Sequence, residues 1–271
     1  MDAFKPFECE ESGQVGHVRP SWWWTVHFRR NRHREWHIPW DEAASLDAVE
    51  RRRIARSIAE FQRGESSEAR CYLALSEGFS GRTGDPEFHH TSQLFVHEEN
   101  GHSELLGRFM RLAGISQIGG SWGDRVFRAL RGLGDIGWAS RVLMIAELIA
   151  QDYYPALREA TDHPVLRRIC DKIIFDEAAH IRFQVERIVR VEASLGSIAV
   201  FGRRAAQTVL MAGAAAIVLV GHRHVLRRHP GARAFIASAL ARNRRALDLI
   251  DALRRGGDAL PEAQTRRPSL V

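Results

Sequence analysis

The sequence predicts an all-α protein whose long helices converge on a two-metal site. Gly and Pro gather at a few punctuation points and no long alternating run appears, which leaves strands without a signal. Apolar residues instead recur at steps of three and four. Within two such runs, Glu99-Asn100-Gly101-His102 and Glu177-Ala178-Ala179-His180 each set a Glu and a His three positions apart. On a helix both side chains then leave one face, about one turn apart. Two Glu-x-x-His helices, each facing a helix that supplies one more Glu, form the carboxylate-bridged two-metal site of a four-helix bundle.

At 271 residues and 45% hydrophobic, the chain can bury a substantial core as one domain with extensions. The formal charge is +6, and Lys5 and Lys172 are its only lysines, so arginine carries the positive charge. Much of it alternates with acids, which suits solvated helix faces. Without a binding motif or aromatic platform beside it, no nucleic-acid partner is expected. Cys9, Cys71 and Cys170 are not spaced for zinc or a redox pair and suit a reducing compartment. No apolar secretory core stands near the N-terminus, so a cytoplasmic protein is expected.

Residues 1–46 form a Trp- and His-rich N-terminal extension. Residues 1–40 show no helical period and hold Trp22, Trp23, Trp24, Trp36 and Trp40, rings suited to covering a groove or a subunit contact. His27, His33 and His37 lack a carboxylate or thiol to complete a metal set and are expected at the surface.

The bundle proper is expected over 47–195. From Asp47 to Phe79, Ile54, Ile58, Phe61, Tyr72 and Leu75 follow one stripe, and Glu65 and Glu68 fall in its gaps. An acid on a buried stripe is costly unless a cation or hydrogen bonds neutralise it. Asp85-Pro86 then opens a helix that stops at Gly114. Its inward face would be Phe95, Glu99, His102, Leu106 and Phe109, with Gly101 letting a neighbour approach. Gly119-Gly120 and a short helix near 124–132 form a long crossover. A third long helix near 137–160 carries Glu147 beside Leu143, Ala150 and Tyr154, and Pro155 removes one of its backbone bonds. The fourth opens at Pro164, ends at Gly196 and turns Glu177, His180 and Gln184 inward.

Beyond the bundle, additional helices are expected over 196–256. Ala205 to Gly221 is uncharged and falls short of the about 20 residues normal for a span. A buried or dimer-forming helix is the first expectation for it, and weak membrane association is the second. A disordered tail is expected over 257–271.

Hard oxygen donors with two imidazoles suit iron or manganese better than zinc. Bridging carboxylates would hold two ions about 3.5–4 Å apart. Asp176 and Glu98, each one position before a ligating Glu, are candidates to accept the free N–H of the ligating histidines and so fix their tautomers. Tyr72 is a candidate hydrogen-bond or electron donor. Spacing leaves both Glu65 and Glu68 open as the first-helix ligand.

The repeated pattern resembles the ferritin-like di-iron carboxylate superfamily over residues 47–195. Glu98-Glu99-Asn100-Gly101-His102 is similar to the Glu-Glu-Asn-Arg-His segment of soluble acyl-carrier-protein desaturases, and Asp176 to His180 to their second Asp-Glu-x-x-His. Gly64-Glu65-Ser66 resembles the first ligand segment of rubrerythrins, which favours Glu65 and leaves Glu68 beside the ligands. The resemblance implies two iron ions, with a mixed manganese–iron pair as the alternative, on Glu65, Glu99, His102, Glu147, Glu177 and His180. It further implies an oxygen-dependent desaturase or hydroxylase. Such an enzyme takes electrons from a separate ferredoxin or reductase and acts on an apolar, acyl-type substrate. Iron oxidation or peroxide reduction, and a scaffold without enzymatic activity, are the alternatives.

Overall fold

The computed structural model describes residues 17–42, 46–65, 69–120, 122–227 and 231–256; the tail expected over 257–271 and Glu68 lie outside them. The described residues are all-helical, with no strand among them.

Helix α1 (Ser21–Arg32) stands where no helical period was expected. Its buried residues Trp24, Phe28 and Asn31 do keep steps of four and three, but half-buried Trp22 and Trp23 alongside them blur the stripe. The run expected to continue from 47 to 79 is two helices, α2 (Ala48–Glu65) and α3 (Ala69–Thr83). Residues 66–68 between them lie outside the described ones.

Helix α4 (Pro86–Leu112) opens at Pro86 as expected and closes ahead of Gly114, whose φ of +64° suits a residue without Cβ. The Asp85 side chain does not cap it; Ser21 donates to it at 2.7 Å and Arg190 pairs with it. Gly101 permits no close approach, because a Cβ there would meet nothing within 4 Å.

Helices α5 (Trp122–Arg131), α6 (Ile136–Ala160) and α7 (Pro164–Val191) follow the expected order, and α6 runs through Pro155. Helix α7 ends at Val191 instead of Gly196. The next residue, Glu192, closes the helix with its N–H on Ile188 O at 2.9 Å, and its wholly buried carboxylate takes two bonds from Arg141 at 2.9 and 2.6 Å. Helices α8 (Ser197–Gly221), α9 (Arg223–Leu226) and α10 (Ala232–Gly256) complete the described chain.

Helices α6 and α7 pack most extensively. Helix α2 packs on α4 and α6, and α7 packs on the same two. Their inward apolar residues, among them Ile58, Leu106, Leu148 and Ile173, form the core. Helix α1 lies against α4, where Trp24 donates its indole N–H to buried Glu186 of α7 at 2.8 Å.

Helix α8 is not the buried helix expected. Only its inner side, Gln207, Met211, Ala214 and Ala215, is enclosed. That side is tied down by polar bonds: Arg141 of α6 donates to Gln207 at 2.6 Å, and Gln207 donates to Asn243 of α10 at 2.8 Å. Among the described residues α8 is the one helix long and apolar enough to cross a membrane, with a mean hydropathy of 1.5.

Candidate metal centre

Four long helices each turn an acid inward at one level. Glu65, Glu99, His102 and Glu177 each bring a ligand atom to within 4.8 Å of the others. These are a Glu from α2, a Glu and a His one turn apart on α4, and a Glu from α7. The cluster could hold a metal ion.

His180 and Glu147 adjoin it from α7 and α6. His180 Nδ1 lies 2.7 Å from Glu99 Oε1 and 3.6 Å from Glu177 Oε2. His102 Nδ1 lies 3.6 Å from Glu177 Oε1 and 3.8 Å from Glu65 Oε2. The two imidazoles thus share Glu177, with Glu99 beside His180 and Glu65 beside His102. All six residues expected as ligands are brought together.

The ring orientations follow from the outer nitrogens. His102 Nε2 is 2.9 Å from Asp176 Oδ2, and His180 Nε2 is 2.8 Å from Glu98 Oε2. A carboxylate only accepts, so each Nε2 carries a proton and each Nδ1 faces the cluster, where the neutral ring would offer its lone pair. The pairing crosses between helices: the histidine of α4 binds the acid of α7, and the histidine of α7 the acid of α4. Asp176 and Glu98 therefore occupy the positions expected of them.

Inside the cluster the polar atoms lack partners. Glu99 Oε1, His102 Nδ1, Glu147 Oε2, Glu177 Oε2 and His180 Nδ1 are buried without a hydrogen bond, the close His180–Glu99 approach being out of bonding direction. A buried polar atom left unbonded costs about 1–3 kcal/mol, so five at one point mark a place for a cation.

The electrostatics agree. Burial and the nearby Glu177 charge push the Glu99 carboxyl well above its usual range. Burial raises Glu147 to about 8 and Glu177 to about 7. Glu65 is equally buried, yet its contacts with His102, Glu99 and Tyr154 bring it below its ordinary value. Burial opposes charging His102 and His180, but the acids around them hold both above the ordinary histidine value. Several carboxylates in a dry core without matching positive charge either keep protons or take a metal.

Three neighbours had no part in the site as read from the sequence, although Tyr154 was placed on the Glu147 face. Asn31 of α1 donates its amide to both Glu98 and Asp176, at 2.5 and 2.7 Å, bridging the two acids that brace the histidines. Lys172 donates to Asp176 from one turn before it at 2.5 Å. The Tyr154 hydroxyl donates to Glu65 Oε1 at 2.5 Å. The i,i+4 spacing of Lys172 and Asp176 was a usable signal; the role of Asn31 required the placement of α1. Tyr72, as a candidate donor, lies farther out: it donates to Gln184 at 3.4 Å, and Gln184 donates to Glu147 at 3.2 Å.

A cavity of about 650 Å³ reaches the cluster from the side away from the histidines' outer nitrogens. Glu65, Glu99, Glu147 and Glu177 form its floor, Phe61, Phe95, Leu143 and Ile149 its walls, and Ala216 to His222 of α8 and its turn its outer edge. Among the described residues none of the tryptophan segment lines it, so those rings do not cover this groove as expected, while the apolar helix does edge it. Trp24 and Phe28 pack instead on Phe183, beside the histidines. His27 stacks on Trp23, and His33 and His37 are exposed. Comparison with protein-family models, curated proteins and solved structures returned no match.

Proposed function

We propose that the chain is a ferritin-like di-iron oxidoreductase that uses oxygen to desaturate or hydroxylate an apolar substrate. On this reading α2, α4, α6 and α7 are the four-helix bundle. Glu65, Glu99, His102, Glu147, Glu177 and His180 would hold the two ions. When bound, such a pair supplies two-electron oxygen chemistry capable of attacking an unactivated C–H bond.

The protein's own residues do the rest. Asp176 and Glu98 keep the histidine tautomers fixed, and Asn31 holds those two acids. The cavity walls orient an apolar chain and exclude water from the reacting end, while Gln184, accepting from Tyr72, donates to Glu147 and holds its carboxylate in place. Electrons come from a separate reductase or ferredoxin.

The observation that carries this reading is the apolar cavity whose floor is the carboxylate cluster. Iron storage or peroxide reduction has no use for such a space. Anaerobic loading with iron(II), then exposure to oxygen, should give about two metals per chain and a transient near-ultraviolet or visible absorption. A colourless protein with no bound iron would overturn it.

A further inference from the structure

Helix α8 inverts the ordinary pattern of a surface helix. Such a helix turns its polar side to water, yet the outward side of α8 presents Ile198, Phe201, Val209, Ala216 and Val220, with Ile198 90% and Val220 72% exposed. The only charged residues between Ile198 and Val220 are Arg203 and Arg204, and both are half-buried and paired, with Asp135, Glu192, Asp248 and Asp251. At 25 residues the helix presents an apolar ridge about 37 Å long.

This ridge is continuous with the cavity. Ile217 and Val220 are exposed and also line it, so the cavity mouth opens onto the same apolar surface. The charged groups at that end are cationic in sum. Arg56, 85% exposed at the mouth, pairs with Glu60, and exposed Arg223 and Arg227 follow the helix.

We infer that the outer face of α8 rests on an anionic lipid bilayer and that the cavity opens into the lipid, so that its apolar substrate enters without crossing water. An apolar helix face flanked by arginines is the composition of a helix lying in the headgroup boundary. The helix does not span the bilayer. A lone span has no protein neighbours along its length, whereas the inner side of α8 is fixed through Gln207 to Arg141 and Asn243 of the helical core. A second copy of the chain seated on Ile217 and Val220 would close the mouth, while fluid lipid leaves it supplied. Substrate entry from lipid rests on the oxidase reading; the docking itself does not.

Flotation of the full-length protein with phosphatidylcholine vesicles, with and without phosphatidylglycerol, tests the docking. The wild type should float with both and more strongly with phosphatidylglycerol. V209E and V220E should each lose about tenfold or more in bound fraction, the effect of one apolar side chain, with unchanged helicity and metal content. R223E should lose only the preference for phosphatidylglycerol. A solvatochromic dye on I217C, in a C9S/C71S background, should shift to the blue when vesicles are added.

The inference is overturned if the wild type floats with neither vesicle, if V209E and V220E float as the wild type does, or if the dye is unmoved while the protein floats. A homodimer that V209E dissociates, without flotation of either form, would assign the face to a second copy instead. Flotation is read on metal-loaded and metal-free protein alike, so failure of the oxygen reaction would leave the docking result standing, and the reverse.

Discussion

At the scale of single residues, the centre is set by where protons and lone pairs are held. Asn31 touches no proposed ligand, but it fixes both acids that orient the histidines. Outer partners of this kind are worth about 10–100-fold in metal affinity. N31A should therefore weaken metal binding by at least about tenfold, read by competition with a chelator, while the fold remains. Glu147 gives a sharper test because burial holds its carboxyl at about 8. With a folded value raised above the unfolded one, the metal-free protein binds more protons than the unfolded chain, so its stability falls as pH rises from about 4.5 toward 8. Metal binding needs the same carboxylates deprotonated, so affinity should rise with pH over 7–8, with proton release in weak buffer. E147Q should flatten the decline of the metal-free form, raising its stability at pH 8 by about 1–3 kcal/mol, and should lower metal content. Denaturant titrations at pH 6 and 8 would read both trends.

At the scale of helices, legibility in the sequence depended on how local the cause was. The Glu-x-x-His pairs were legible because one turn of helix sets their geometry, and Pro86, Gly114 and Pro164 marked ends that sequence alone can mark. Helix α1 was not legible. Its buried residues gain their meaning from Phe95, Phe183 and Glu186, far along the chain, and neighbouring tryptophans obscure the period. The end of α7 was missed too, where the Glu192 carboxylate answers to distant Arg141. Trp24 anchors α1 by burial and by its bond to Glu186. W24A should cost about 3–5 kcal/mol in urea unfolding, and by loosening Asn31 it should also reduce metal retention.

For the whole molecule, the cavity's lining is the feature the sequence could not disclose, because it arises where α8 crosses the opening between α2 and α6. Ala146 lines the cavity and is exposed within an otherwise buried stretch of α6, so this small side chain keeps the space open. A146F should fill that space, leaving metal content as in the wild type and abolishing turnover of long apolar substrates before short ones. Product analysis over a series of chain lengths would show it, and equal loss at every length would count against a size-selecting cavity.

The crossed bracing of the histidines carries a last consequence. Because each ring is steadied by an acid from the opposite helix, and one amide of α1 clamps both acids, neither half of the centre can relax by itself. On the two-ion reading proposed above, filling one socket would straighten the mate's scaffolding, so ions should arrive and leave as a couple, and half-filled protein should be scarce.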